Sequence, residues 1–173
     1  MTIPTLTPAS LSQLDQAAFV AALDGIFEHS PWVAERAWVR RPFADREALL
    51  GTLVGAMQAA PRDAQMALIR AHPELAGKAA VRGELTAEST REQAGAGLAA
   101  CSREEFELIQ ALNGAYNAKF GFPFIIAVRG LGRADIIAAM ERRLGHDPEA
   151  EFAEALRQIA RIAALRLEER VAE

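Results

Sequence analysis

Apolar side chains recur at helical spacing along most of this chain. Alanine, leucine, glutamate and arginine dominate, and β-branched residues are sparse outside one segment, which favours helix. We predict an all-α, single compact domain over residues 1–173, with about seven or eight helices after an irregular lead-in over 1–14. Caps, prolines and glycines predict helices over about 15–28, 32–39, 45–57, 61–69, 86 or 89 to 98, 102–121, 133–144 and 147–170.

One segment departs from the helical pattern. Residues 122–128, FPFIIAV, form an apolar run interrupted by Pro123. No second segment is available to pair with it as a strand, so we predict an extended, buried segment. Its backbone N–H and C=O groups need partners, and a polar ring rich in amides would supply them.

Composition and charge exclude several functions. The 173 residues are 51% hydrophobic and carry a formal net charge of −4, with basic residues interspersed among acidic ones, so no nucleic-acid partner is expected. A single cysteine, Cys101, excludes an internal disulfide and a cysteine-based zinc site, and no two histidines stand four residues apart. Without a signal peptide or a membrane-length apolar run, we expect a cytoplasmic protein with no membrane partner.

His72 is the first candidate for chemistry. It precedes Pro73 at the predicted end of a helix, since the residue before a proline disfavours helical backbone. In the simplest case, a protonated histidine at this position only interacts favourably with the negative end of the helix dipole. Alternatively, the proline and the following loop hold its ring as a general acid or base. His29 and His146 lie in polar turns and are weaker candidates.

A second polar group begins the next helix. Ser89 and Glu92 have the spacing of a capping box, which does not explain Gln93. Gly95 and Gly97 would weaken this helix by roughly 1 kcal/mol each relative to alanine, which suggests a close approach by backbone or ligand. A helix N-terminus also offers N–H donors to an anionic substrate.

The last helix carries an arginine on its apolar face. Phe152, Ala155, Ile159 and Ile162 form a stripe whose next position is Arg166. This places Arg166 inward or toward a cleft. It is either a snorkelling side chain near the helix end or a fixed guanidinium for a carboxylate.

Four motifs together resemble the family of OHCU decarboxylase, an enzyme of urate degradation (OHCU is 2-oxo-4-hydroxy-4-carboxy-5-ureidoimidazoline). The motifs are HPELAGK at 72–78, ESTREQ at 88–93, LNGAY at 112–116 and KFGFPFI at 119–125. The resemblance extends from about residue 19 to 167 with the spacing intact. Glu74 departs from it, since aspartate is common there, and this side chain is not expected to touch the substrate.

The resemblance implies an all-helical homodimer that decarboxylates OHCU to (S)-allantoin and CO2 without a cofactor or metal. It implies that His72 is catalytic, and we add Glu92 as its acid–base partner. The positions implied to bind substrate are Pro73, Ser89, Glu92, Gln93, the backbone of Phe124, Ile125, Ile126, Ala127 and Val128, and Arg166, with Arg161 as the alternative arginine.

Two other interpretations stay open. One is a related helical decarboxylase that acts on another ureido or imidazole compound. The other is a non-catalytic helical binding module whose polar residues only cap helices, which predicts no small-molecule binding near His72. Allantoin binding would disfavour the module, and a comparison of ureido ligands would separate the two enzymes.

Overall fold

The computed structural model describes residues 5–173, apart from the side chains of residues 78 and 79. Within that range the chain is helical, without a β-strand, which confirms the all-α class. No helix there has both the length and the apolar character that a membrane crossing requires. The α-helices are α1 Pro8–Ser12, α2 Gln16–Ala22, α3 Trp32–Trp38, α4 Arg46–Gln58, α5 Arg62–Ala71, α6 Lys78–Arg82, α7 Ala87–Gly95, α8 Arg103–Phe120, α9 Arg133–Arg143 and α10 Pro148–Arg170, and Leu98–Ala100 is a 3-10 helix.

All eight predicted helices are present, and two short ones were missed. Helix α1 lies inside the predicted lead-in over 1–14, of which residues 1–4 fall outside the described part. Thr7 and Ser10 form a reciprocal capping box there, so five residues suffice for a helix. Helix α6 lies between residues 69 and 86, where no helix was predicted. The helix predicted over 15–28 ends at Ala22, and Gly25 follows in the left-handed region with a φ of 83°.

Caps explain where the longer helices begin and end. Asp15 and Asp45 accept bonds from backbone N–H groups three residues on, at 2.8 and 2.7 Å. Helix α8 starts with a reciprocal capping box between Ser102 and Glu105. It ends at Gly121, whose φ of 76° is unfavourable for residues with a Cβ.

The described chain forms two compact units, and the prediction of one domain over 1–173 stays a prediction. The first unit runs up to Leu68 and includes Ala160–Glu173. In it, Phe19 stacks on Phe43 with ring centroids 5.7 Å apart. An isolated parallel β-bridge joins Val171, near the C-terminal end, to Leu6.

The second unit, Ile69–Ile159, contains the predicted extended segment. Residues 122–128 lie in no helix or strand and are buried except at Ile126, which is half-buried, so this prediction is confirmed. Tyr116 of α8 packs its ring edge-on against Phe124 and Phe122, at centroid distances of 5.4 and 5.8 Å. The segment therefore lies within the aromatic core of this unit.

A buried ionic cluster holds the same segment. The Glu151 carboxylate is fully buried and receives Arg143 Nη2 at 2.9 Å and the Tyr116 hydroxyl. Arg143 Nη1 donates to the Ile125 carbonyl at 2.8 Å. Burial, together with the hydrogen bond to Glu151, raises the pKa of the Tyr116 hydroxyl. His146, predicted to be a solvated turn residue, lies with Nδ1 3.0 Å from Glu151 Oε1 and a half-exposed ring.

We expect Arg143→Met to lower the free energy of unfolding by about 3–5 kcal/mol, because it leaves a buried carboxylate uncompensated. Urea denaturation followed by far-ultraviolet circular dichroism measures the loss. Arg157→Met is the control, since Arg157 pairs with Glu154 while 66% exposed, and removing such a pair costs below about 1 kcal/mol. Equal losses in the two variants would show that the buried cluster is not a main source of stability.

Candidate active site

His72 follows the last residue of α5. Its N–H donates to the Ile69 carbonyl at 3.2 Å, and only 7% of the residue is exposed. A histidine present only for the helix dipole would be expected to reach solvent. Burial of this ring within the second unit instead favours a role in chemistry.

The turn that follows His72 has an unusual backbone. Ala76 has a φ of 49°, in the left-handed region that non-glycine residues rarely occupy. Such a conformation costs on the order of 1–3 kcal/mol unless its surroundings impose it. Gly77 is needed for a different reason, since a Cβ there would lie 2.8 Å from the Glu74 Cβ.

Gln93 of α7 is bonded to this turn by both ends of its amide. Its Oε1 accepts from the Ala76 N–H at 2.9 Å, and its Nε2 donates to the Glu74 carbonyl at 3.3 Å. The side chain was predicted to bind substrate, and the structure places it on the turn beside His72. Because an amide nitrogen carries two hydrogens, a second donation remains chemically available to Gln93.

Three further amides, on α8, donate to the same turn. They stand at i, i+3 and i+7 and so occupy one face of the helix. The bonds are Gln110 Nε2 to Ala76 O at 2.6 Å, Asn113 Nδ2 to Leu75 O at 3.0 Å, and Asn117 Nδ2 to the Glu74 carboxylate. We did not predict this set as functional, although polar residues at helical spacing on a buried face were the available signal.

Ser89 and Glu92 do not form the predicted capping box. Thr86 is the N-cap of α7, because its Oγ1 accepts from the Ser89 N–H at 3.2 Å. Ser89 therefore lies inside the helix and is buried, and Glu92 is half-buried. Together with Gln93 they stand at i, i+3 and i+4, which puts the three predicted site residues on one side of α7.

Of the two glycines that follow them, Gly97 has a local explanation and Gly95 does not. Helix α7 ends at Gly95 rather than near Leu98, and Gly97 adopts a left-handed φ of 76° before the 3-10 helix. A Cβ on Gly97 would also lie 3.1 Å from Arg133 Nη1, whereas one on Gly95 would meet nothing within 4 Å. Turn geometry and Arg133 thus account for Gly97, and no close approach accounts for Gly95.

Backbone groups of the extended segment already bond within the described protein, and the Val128 carbonyl accepts from the Leu131 N–H at 2.9 Å. Arg143 donates to the Ile125 carbonyl, and Gln158 Oε1 accepts from the Ala127 N–H at 3.0 Å. Since an N–H donates one hydrogen, a ligand could bond the Ala127 N–H only by displacing Gln158. The Ile125 carbonyl retains a second lone pair.

Arg166 lies in the first unit and points inward, which confirms the prediction from periodicity. It is 4% exposed, with Nη2 3.0 Å from Glu28 Oε1 and Nη1 2.8 Å from the Gly25 carbonyl. The guanidinium is thus buried with a carboxylate and does not snorkel to water. Arg161 is exposed.

A cavity of about 520 Å³ also touches Gln93, in the second unit. Its lining is mainly apolar and includes Leu98 and Phe106, but not His72, Ser89 or Glu92. Cys101 lines it as well, and burial, followed by the nearby Glu105, raises the pKa of this thiol. The thiol is therefore neutral at physiological pH and a poor nucleophile.

Comparison with known proteins places this chain in a family. Residues 12–168 match the family model described as OHCU decarboxylase. The 2-oxo-4-hydroxy-4-carboxy-5-ureidoimidazoline decarboxylase of Haloferax volcanii is 45% identical over 165 residues, covering 95% of this chain and 96% of that protein.

Solved structures have the same fold. A crystal structure of (S)-allantoin synthase superposes with a TM-score of 0.77 at 29% identity, over 96% of this chain and 54% of that one. This chain thus spans about half of that protein. A crystal structure of OHCU decarboxylase in the presence of (S)-allantoin gives a TM-score of 0.69 at 21% identity, over 83% of this chain and 93% of that one, a likeness of fold. On the match over residues 12–168, this chain belongs to the OHCU decarboxylase family.

Proposed function

We propose that this protein decarboxylates OHCU to (S)-allantoin and CO2 in urate degradation. The observation that carries the proposal is the family match over residues 12–168, together with a 45% identical relative that bears the name of this enzyme. The site geometry supports it, because His72 is buried on a fixed turn that is bonded to the helix carrying Ser89 and Glu92.

The reaction is suited to a protein that supplies orientation and proton transfer. Loss of CO2 leaves an electron pair on the ring carbon, and the adjacent ring C=N accepts it, so the substrate provides its own electron sink. The carboxylate must stand perpendicular to the ring for the breaking bond to overlap the π system. Holding that geometry is a task for fixed hydrogen-bonding groups.

In this proposal His72 and Glu92 are the catalytic pair. They hydrogen-bond the substrate hydroxyl and ring, and one of them delivers a proton to a single face of the neighbouring carbon, which gives the S product. Pro73 borders the substrate, and Ser89 and Gln93 bind its ring and ureido groups. The backbone of residues 124–128 completes the binding set, within the limit that Gln158 sets at Ala127.

Arg166 is proposed as a further substrate contact on the family resemblance. Tight neutralisation of the departing carboxylate would stabilise the ground state and slow the reaction. Glu28 already balances the Arg166 charge. A balanced guanidinium suits a group that does not leave, such as a ring or ureido carbonyl.

The oligomeric state is proposed from the resemblance alone, and the location is a separate proposal. We propose a homodimer in the cytoplasm. Sedimentation velocity of the purified protein measures the first, and fractionation of the source cells the second.

Two alternatives make different predictions. A decarboxylase for another ureido or imidazole compound would turn over that compound faster than OHCU. A non-catalytic module is disfavoured, because capping explains neither the buried His72 nor Ser89, whose helix is capped by Thr86. Thermal shifts with allantoin and several ureido ligands separate these cases.

We expect His72→Asn to lower kcat/KM by about 10²–10⁴, the usual contribution of a placed proton-transfer group. CO2 release and the circular dichroism of allantoin, followed on freshly made OHCU, measure the effect. His29→Asn is the matched control, because His29 is exposed and has a φ of 45°, a conformation that asparagine tolerates. Wild-type turnover by His72→Asn would refute the assignment.

We expect Glu92→Gln to reduce the enantiomeric purity of allantoin without an equal loss of affinity. The amide keeps the shape of the side chain but cannot transfer a proton as an acid or base. Chiral analysis of the product and the KM are the two readouts. Glu88→Gln controls for loss of a negative charge in the same helix. A purely S product from Glu92→Gln would leave reprotonation to another group.

We expect Arg166→Lys to raise KM several-fold, because lysine keeps the charge opposite Glu28 but loses the planar fork of donors. Arg161→Lys, on the exposed face, should leave KM unchanged. Steady-state kinetics and melting temperature are measured for both. If Arg166→Lys changes only the melting temperature, the buried arginine is structural.

A further inference from the structure

We propose that Gln110, Asn113 and Asn117 of α8 are positioning residues for His72. Their amides fix the turn over residues 73–77 and thereby set the direction of the His72 imidazole. The proposal rests on the proposed function in one respect, the catalytic role of His72. None of the three residues belongs to the proposed substrate-binding set.

Side chains from outside the turn supply most of the hydrogen bonds to its backbone. The carbonyls of Glu74, Leu75 and Ala76 each accept from a different side-chain amide, from Gln93, Asn113 and Gln110 in that order. Within the turn, the Gly77 N–H reaches the Glu74 carbonyl only at 3.4 Å. The left-handed backbone at Ala76 therefore depends on the amides of α7 and α8.

Asn113 provides an independent argument. It is 2% exposed, and its Oδ1 is buried without a hydrogen-bond partner in the described structure. A leucine of similar size would avoid the unfavourable burial of that oxygen. The amide nitrogen is nevertheless directed at the Leu75 carbonyl, which explains an asparagine at this position by its action on the turn.

The link to catalysis is short. Pro73 fixes its own φ near −65°, so the backbone of His72 follows the orientation of the turn. Asn117 donates to the Glu74 side chain. Glu74 can thereby influence the position of the turn without touching the substrate. A displacement of about 1 Å in a catalytic group can lower the rate by about 10²-fold.

Gln110→Leu is the main test, because Gln110 is half-buried and its replacement should leave the fold intact. Asn113→Leu is the second variant. Gln65→Leu is the matched control, since Gln65 Nε2 likewise donates to backbone carbonyls, those of Met57 and Gln58, in the first unit. Turnover of OHCU, melting temperature and the nitrogen NMR signals of the His72 ring are measured for each.

We expect kcat to fall by about ten- to a hundredfold in Gln110→Leu and Asn113→Leu, with a smaller change in KM. Their melting temperatures should fall no more than that of Gln65→Leu, which should keep wild-type kcat. The His72 ring signals should shift or split in the two α8 variants and stay unchanged in the control.

Wild-type kcat and unchanged His72 signals in both α8 variants would overturn the proposal. A fall in kcat matched by Gln65→Leu would also overturn it, because the effect would then be general destabilisation. If the wild-type protein does not turn over OHCU, the proposed function fails, and the His72 signals still decide whether α8 positions this ring.

Discussion

The buried ion pair between Glu151 and Arg143 is the interaction on which much of the second unit depends. Glu151 balances the charge of Arg143, and Arg143 in turn donates to the Ile125 carbonyl of a segment that has no strand partner among residues 5–173. Buried backbone without regular helix or sheet partners needs other hydrogen-bond partners, and side chains supply some of them here. Gln158 does the same for the Ala127 N–H, so helices α9 and α10 fix the shape of the extended segment.

The turn after His72 follows the same physical rule with neutral groups. Amides from α7 and α8 bond its backbone where neither helix nor sheet could do so. The rigid helices thus hold two irregular segments, 72–77 and 122–128, and both contain predicted site residues. Irregular backbone held in this way can present atoms in directions that a helix cannot, which suits a site that must orient a small heterocycle.

Family membership and geometry contribute different things to the functional assignment. The family match names the reaction class, and the structure removes simpler explanations for individual residues. Ser89 is not a cap, His72 is not a solvated helix end, and Arg166 does not snorkel. All three polar side chains are buried, which sets them apart from ordinary solvent-exposed polar residues.

The sequence by itself determined the eight longer helices, the extended segment at 122–128, the inward direction of Arg166 and the family motifs. These features depend on caps, prolines and periodicity, which act over a few residues. Only the tertiary structure decided that Glu151 pairs with Arg143, that Gln93 bonds the turn after His72, and which backbone atoms the amides of α8 reach. Those choices depend on groups brought together by packing, and many sequence-compatible partners exist until the chain has folded.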